Sequence, residues 1–192
     1  AINKGIFRCR GEIFNWLCSD DLFTPGTLRK VAEAWVAHGQ PAMIYGLAKF
    51  IDQDGKDIGY CPYQSSNLTL DSMLELEYFP IQPATFVPTK LLQAIGGIDP
   101  QLHWSMDMDM WVKLAETLPF VHVPYDMALY RLHEGSKTSS ASKGYYEDMA
   151  FILDRSVKKG LINAKKAQVT LDIFASILYF NPRVKEYGKG FN

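Results

Sequence analysis

What the chain lacks narrows its function first. Its 20 Lys and Arg residues are balanced by 21 Asp and Glu, for a net charge of -1, and no basic stripe stands out locally. That excludes the electrostatic footprint of a nucleic-acid binder. There are only three cysteines, Cys9, Cys18 and Cys61, with no Cys-x-x-Cys pair and no zinc-like histidine spacing beside them. An odd, unpatterned set reads as reduced thiols of a reducing compartment, packed in or near the core. The longest late apolar run, residues 171–180, is about half a membrane span and contains Asp172, so it cannot cross a bilayer. Gly-x-Ser-x-Gly elbows, phosphate-cradling Gly-rich loops, kinase signatures and internal repeats are also missing.

What is present suits one sizeable globular core: 192 residues, 47% hydrophobic and 21% charged. The chain opens at Ala1 without a methionine, inside a segment that reads as helix over residues 1–10 and closes at Gly11, so a longer protein is expected. Residues 12–18 read as a short buried strand. Thr24 and Pro25 then predict an N-cap and first helical residue, with Leu28, Val31, Ala32 and Trp35 on one face and Gly39 as the C-terminal stop. A second strand spans residues 42–51, and Asp52-Gln53-Asp54-Gly55 turns it into a return strand over residues 56–60. Thr69 predicts a helix through residue 77, followed by an extended stretch at 84–87 and a short helix at 89–95 that ends on Gly96-Gly97. A helix from the Asp107 region to about residue 117, strands near 120–123 and 127–131, and a polar loop over 134–144 come next. Residues 145–192 read as helices interrupted at Gly160. The alternation predicts an α/β sandwich, with ligands collecting at the carboxyl ends of strands.

Three places carry candidate chemistry. Asp20 and Asp21 are adjacent carboxylates on a short turn, which repel each other and invite a hard divalent cation; a solvated Asx turn is the alternative. Asp107 and Asp109 lie two apart, roughly 200° around a helix, so they cannot both face one site. Asp107, near the helix N-terminus, suits a carboxylate base held ionised by backbone N-H groups, with a helix cap as its alternative. Asp109 is placed to pair with Lys113 one turn on. His133, beyond the strand ending in Tyr130-Arg131, is a third candidate, as metal ligand, proton carrier or ordinary surface histidine.

Taken in order, these segments resemble the inverting glycosyltransferases of family two, over residues 1–138. Leu17-Cys18-Ser19-Asp20-Asp21 resembles the family's acidic metal motif, in which Asn commonly stands in place of Cys18. Pro25-Gly26-Thr27-Leu28, Ile44-Tyr45-Gly46, Asp52-Gln53-Asp54-Gly55 and Ile81-Gln82-Pro83-Ala84-Thr85-Phe86 follow, and then Gly96-Gly97-Ile98-Asp99. Met106-Asp107-Met108-Asp109-Met110-Trp111-Val112-Lys113 resembles the stretch that carries the family's catalytic base, with Met106 replacing an acid and Lys113 a common Arg. Tyr130-Arg131-Leu132-His133 matches the Tyr-Arg-x-His element.

The resemblance implies a partial GT-A fold: a mixed sheet with flanking helices over residues 1–144 and a helical C-terminal extension over 145–192. It implies transfer of a sugar, with inversion, from a nucleotide-diphosphate donor to the hydroxyl of a glycan or lipid-linked acceptor. Mg or Mn would be held by Asp21, Asp20 and His133, with Arg131 supporting the diphosphate. Asp107 would be the base, and Gln82 and Trp111 would lie in the donor-acceptor region. Residues 134–144 would close over the donor. The nucleotide-gripping half of the family fold is missing, so little transfer is expected from the chain alone. Its first strand is expected to lack neighbours, leaving an edge for a homodimer. Polysaccharide synthesis in the cytoplasm, at the inner face of the membrane through a peripheral contact, completes the expectation. A carboxylate-pair glycoside hydrolase and a non-catalytic sugar-binding or assembly module are the alternative functions.

Overall fold

The structure is a computed structural model and describes residues 1–133, 135–137 and 143–180. It begins with α1 (Ile2–Ile6), β1 (Ile13–Phe14), β2 (Leu22–Phe23), α2 (Thr27–His38), β3 (Met43–Ile51) and β4 (Asp57–Tyr60). Next come α3 (Leu70–Leu74), a 3-10 turn at Gln82–Ala84, β5 (Thr85–Pro88), α4 (Thr89–Ala94) and α5 (Met106–Ala115). The last elements are β6 (Phe120–Arg131), α6 (Lys143–Lys158) and α7 (Ala164–Phe180). The strands form one mixed sheet in the order β1-β5-β3-β6-β2, with β4 on β3. Only β3 and β6 run parallel, so both deliver their carboxyl ends to the same edge, where the candidate site lies.

Strand periodicity divides the interior into two cores. Met43 points into a core built with α4, α5, α6 and α7, while its neighbour Ile44 points to the opposite face, toward Val31 of α2. Met149, Ile152 and Leu153 of α6 and Ala167 of α7 are buried in the same core as Met110 and Leu114 of α5, so the C-terminal helices hold α5 in place. Gly46 sits where the β3–β6 register shifts; a Cβ there would meet Met127 Cγ at 2.6 Å and the Tyr125 carbonyl at 2.8 Å. Only glycine permits this close approach.

Several elements are shorter than the sequence pattern suggests, and side chains explain why. β1 stops at Phe14 because the Asn15 amide donates to the carbonyls of Thr85, at 2.8 Å, and Pro83, at 3.2 Å, in place of a continued ladder. α1 ends at Ile6; its Asn3 side chain is instead tied to Ile98, accepting from its N-H at 2.9 Å and donating to its carbonyl at 2.8 Å. α2 starts at Thr27, after Gly26 at φ 92, and the Thr27 hydroxyl bonds the Met127 carbonyl at 2.7 Å, so Thr24 is not a helix cap. α3 ends early because Leu76 takes φ 56, although Thr69 caps it as expected, in a reciprocal pair with Ser72. The two expected strands at 120–123 and 127–131 are a single strand, β6.

Three further expectations are corrected. The expected face of α2 is rotated: Val31 is buried, whereas Leu28 and Ala32 are exposed and line a shallow groove with Ile13, Leu17, Phe23 and Phe86. β1 does not lack a neighbour, because it pairs antiparallel with β5, Ile13 opposite Pro88 and Phe14 opposite Val87, although it is the end strand of the sheet. Among the cysteines only Cys61 is buried; Cys9 lies beyond the end of α1 and Cys18 on the acidic turn, and both are exposed. Among the described residues no helix is long and apolar enough to cross a membrane.

Candidate active site

The acidic turn is held by β6 on one side and closed on itself on the other. The Asp21 N-H donates to the Cys18 carbonyl at 3.1 Å, which tightens the turn. Asp21 is buried, and its Oδ1 accepts from the backbone N-H of Arg131 at 2.9 Å. The Arg131 guanidinium clamps the turn from the same strand end: Nε donates to the Asp20 carbonyl at 2.9 Å and Nη1 to the Asp52 carbonyl at 2.8 Å. The hydrogen bonds of this arginine thus join the acidic turn to the β3–β4 turn. His133, two residues on, brings Nε2 to 3.0 Å from Asp20 Oδ2. Asp20, Asp21, Arg131 and His133 are therefore one cluster, at the carboxyl ends of β3 and β6.

Burial raises Asp21 to about 6. The Arg131 N-H works against that rise, Asp20 adds to it, and Arg131 and His133 oppose it through charge. Ligand atoms of Cys18, Asp20 and Asp21 lie within 4.8 Å of one another. The two carboxylates offer hard oxygens of the kind Mg or Mn prefers. Cys18 does not fit that role: although the residue is exposed as a whole, its thiol is turned toward Gln82 and partly desolvated, and this, then Asp21, Asp20 and Asp107, pushes it up to about 11, so it stays protonated at neutral pH. Its sulfur faces Gln82 Oε1 at 3.7 Å. The donor set thus fits a hard divalent cation on Asp20 and Asp21, with the His133 imidazole beside it.

Gln82 connects this cluster to a cleft of about 420 Å³. Its Nε2 donates to the Trp16 carbonyl, and its side chain lines the cleft together with Asp107, Trp104 and Trp111. Trp111 lines the cleft but is almost fully buried and belongs to the core.

Asp107 and Asp109 diverge as their spacing requires. Asp109 is fully buried and paired with Lys113 Nζ at 2.7 Å and with Arg155, which bolts α5 to α6. Asp107 faces the cleft, with Oδ1 accepting from the Met108 N-H at 2.8 Å. The backbone N-H groups expected to favour its ionised form are there, and burial works against them. Burial pushes its pKa up and outweighs the N-H groups of Met108 and Asp107; Lys137 lowers it and Asp148 raises it further.

Sequence reasoning missed two contributors. Asp148, on α6, accepts from the backbone N-H groups of Trp104 and Ser105, just ahead of α5. The α7 wall of the cleft is the other. Neither has a local motif; both arise from tertiary packing across more than forty residues. The loop expected to close over the donor falls partly on residue 134 and residues 138–142, which lie outside the described residues, as does the 181–192 part of the expected helical extension.

No protein-family model matches the chain. It is similar to an uncharacterized glycosyltransferase of Rickettsia prowazekii, with 25% identity over 199 residues, covering 97% of this chain and 62% of that protein. It is also similar to the O-antigen biosynthesis protein RfbC of Myxococcus xanthus, with 28% identity over 154 residues, covering 78% of this chain and 11% of that protein. The chain thus spans less than two thirds of the length of these relatives. Among solved structures it is similar to two of S. aureus TarS, with TM-scores of 0.63 and 0.64 at 17% and 16% identity. These likenesses cover 99% and 100% of this chain and 53% and 33% of the TarS chains. The expected fold class is borne out: a curled mixed sheet with helices on both faces, shared with TarS.

Proposed function

We propose that this chain forms part of an inverting glycosyltransferase of family two, with a GT-A fold, moving a sugar from a nucleotide-diphosphate donor to an acceptor hydroxyl. The observation that carries the reading is the convergence of Asp20, Asp21, Arg131 and His133 at one sheet edge, joined through Gln82 to the cleft that Asp107 faces. Similarity to a Rickettsia glycosyltransferase supports the reaction class. It also disfavours the glycoside hydrolase and the non-catalytic module.

In this reading Asp20 and Asp21 hold Mg or Mn, with His133 beside them. When bound, the cation supplies positive charge to offset that developing on the departing diphosphate. Arg131 keeps the acidic turn in register through its carbonyl contacts. Asp107 takes the proton of the acceptor hydroxyl as that oxygen attacks the anomeric carbon from the face opposite the leaving group. Its raised pKa makes it a better proton acceptor than an ordinary aspartate. Gln82 and Trp111 lie in the donor-acceptor region, against the reacting sugars. The product is a glycan of surface-polysaccharide type, a reading supported by the O-antigen biosynthesis relative, and it is made on the cytoplasmic side of a membrane.

The test is transfer by the full-length protein from a panel of nucleotide sugars, with chelator and with Mn added back. Inverted anomeric configuration in the product, loss of transfer with chelator and recovery with Mn are the expected results. Sugar release to water without any nucleotide donor would overturn the proposal in favour of a hydrolase.

A further inference from the structure

The segment that enters α5 is gripped by two side chains of opposite charge, from two different parts of the chain. From α6, the Asp148 carboxylate accepts from the N-H groups of Trp104 and Ser105. From the residues that follow β6, the Lys137 ammonium donates to the His103 carbonyl and stands 5.5 Å from the centre of the Trp104 ring. An indole face attracts a cation at that distance. The indole is fixed in turn by α6: the Tyr145 ring packs against it at 5.1 Å, and Gly144 lies too close to it for any Cβ. Lys137 is therefore held in one place although it is exposed.

Lys137 is also tied to the acidic cluster. Ser136, one residue before it, donates to the His133 carbonyl through its N-H at 3.0 Å and its hydroxyl at 2.8 Å, and His133 contacts Asp20. A continuous path thus runs from Asp20 through His133 to Lys137, and on through His103 and Trp104 to the first turn of α5, where Asp107 faces the cleft. The charge of Lys137 reaches the Asp107 carboxylate and opposes that of Asp148. The other charges nearby are matched: Glu75 pairs with Lys166 at 2.6 Å, and Asp109 with Lys113 and Arg155. The Cys18 and Cys61 thiols stay protonated, and phenols such as those of Tyr63, Tyr130 and Tyr145 on the cleft ordinarily carry no charge near pH 7.

We propose that Lys137 is a positioning residue for Asp107: it clips the turn after His133 to the entrance of α5 and directs a positive charge at the base. The proposal rests on the reading of Asp107 as the base and adds the residue that sets its charge.

The test is an NMR titration, in chelator, of the full chain labelled with carbon-13 at its aspartate carboxyls, the Asp107 signal being identified by its absence in Asp107→Asn. Lys137→Met keeps the stem and loses the charge, and is expected to raise the Asp107 midpoint by about half to one pH unit. Lys137→Arg keeps the charge and can still lie on the indole, so the midpoint should stay in place. In the full-length protein the same shift makes transfer by Lys137→Met about three- to tenfold slower on the acid limb of the pH-rate profile and nearly normal at high pH, with donor KM unchanged. An Asp107 midpoint that does not move in Lys137→Met overturns the proposal. So does a rate loss equal at every pH, the mark of a purely structural role, or a rise in donor KM alone, the mark of a donor contact. Because the titration is read without transfer, it decides the role of Lys137 separately from that of Asp107, whose reading as the base fails if transfer persists in Asp107→Asn.

Discussion

Asp148 on α6 accepts a hydrogen bond from the Ser105 backbone N-H at 2.9 Å, and another from Trp104 at 2.7 Å, so a carboxylate 43 residues away secures the segment that leads into α5. Asp107 stands two residues beyond Ser105, and Asp148 therefore acts as a positioning residue for it. Asp148→Ala leaves two N-H groups without their acceptor and is expected to cost about 1–3 kcal/mol in denaturant unfolding. Asp148→Asn keeps an acceptor oxygen and should recover most of that stability. It also removes a negative charge that raises Asp107, so the acid limb of the pH-rate profile is expected to move to lower pH. An unmoved limb would show that Asp148 acts on structure alone.

Asp109 makes a contrasting prediction. It has no exposed surface and is held by Lys113 and Arg155, so Asp109→Ala leaves two cations facing a buried void. The expected cost is about 3–5 kcal/mol, read as a lower denaturation midpoint. Asp107→Asn, at a partly open position, should leave that midpoint nearly unchanged. Reversal of this order would refute the division of the two aspartates into an anchor and a site residue.

Asp21 links the site to pH. Its folded pKa of about 6 lies above the ordinary 3.8, so the folded state keeps a proton that the unfolded chain releases between those values. The contribution to stability is therefore fullest below about pH 4 and falls as pH rises through about 6, by at most roughly 3 kcal/mol. In chelator, Asp21→Asn is expected to flatten this fall and raise the melting temperature at pH 7, because its amide oxygen can still accept from the Arg131 N-H. Adding Mn should raise the melting temperature of the unchanged chain but not of the variant. A variant less stable than the unchanged chain at pH 7 would contradict the assignment.

The sequence was most informative where local chemistry decides. The Thr69 cap, the Gly39 stop, the Asp52-to-Gly55 turn and the divergence of Asp107 from Asp109 depend on residues within a turn or two, and all four are seen. The grouping of Asp20 with Arg131 and His133 was visible only because two short motifs share one resemblance; nothing local links residues 111 and 113 apart. Legibility failed where a distant side chain replaced a local bond. Asn15 and Gln82 cut β1 short, and Gly26 moved the start of α2, which in turn rotated Leu28 out of the core. The contact of Asp148 with Ser105 and the α7 wall of the cleft arise from packing alone, and their sequences read as ordinary amphipathic helix.

The central claim is that Asp107 takes the proton of the acceptor. Its most direct measurement is single-turnover sugar transfer by the full-length protein carrying Asp107→Asn, with donor affinity measured in parallel. The account predicts a loss of at least about a hundredfold in transfer rate, as for removal of a general base, with donor affinity unchanged. Transfer within a few-fold of the unsubstituted protein would contradict it.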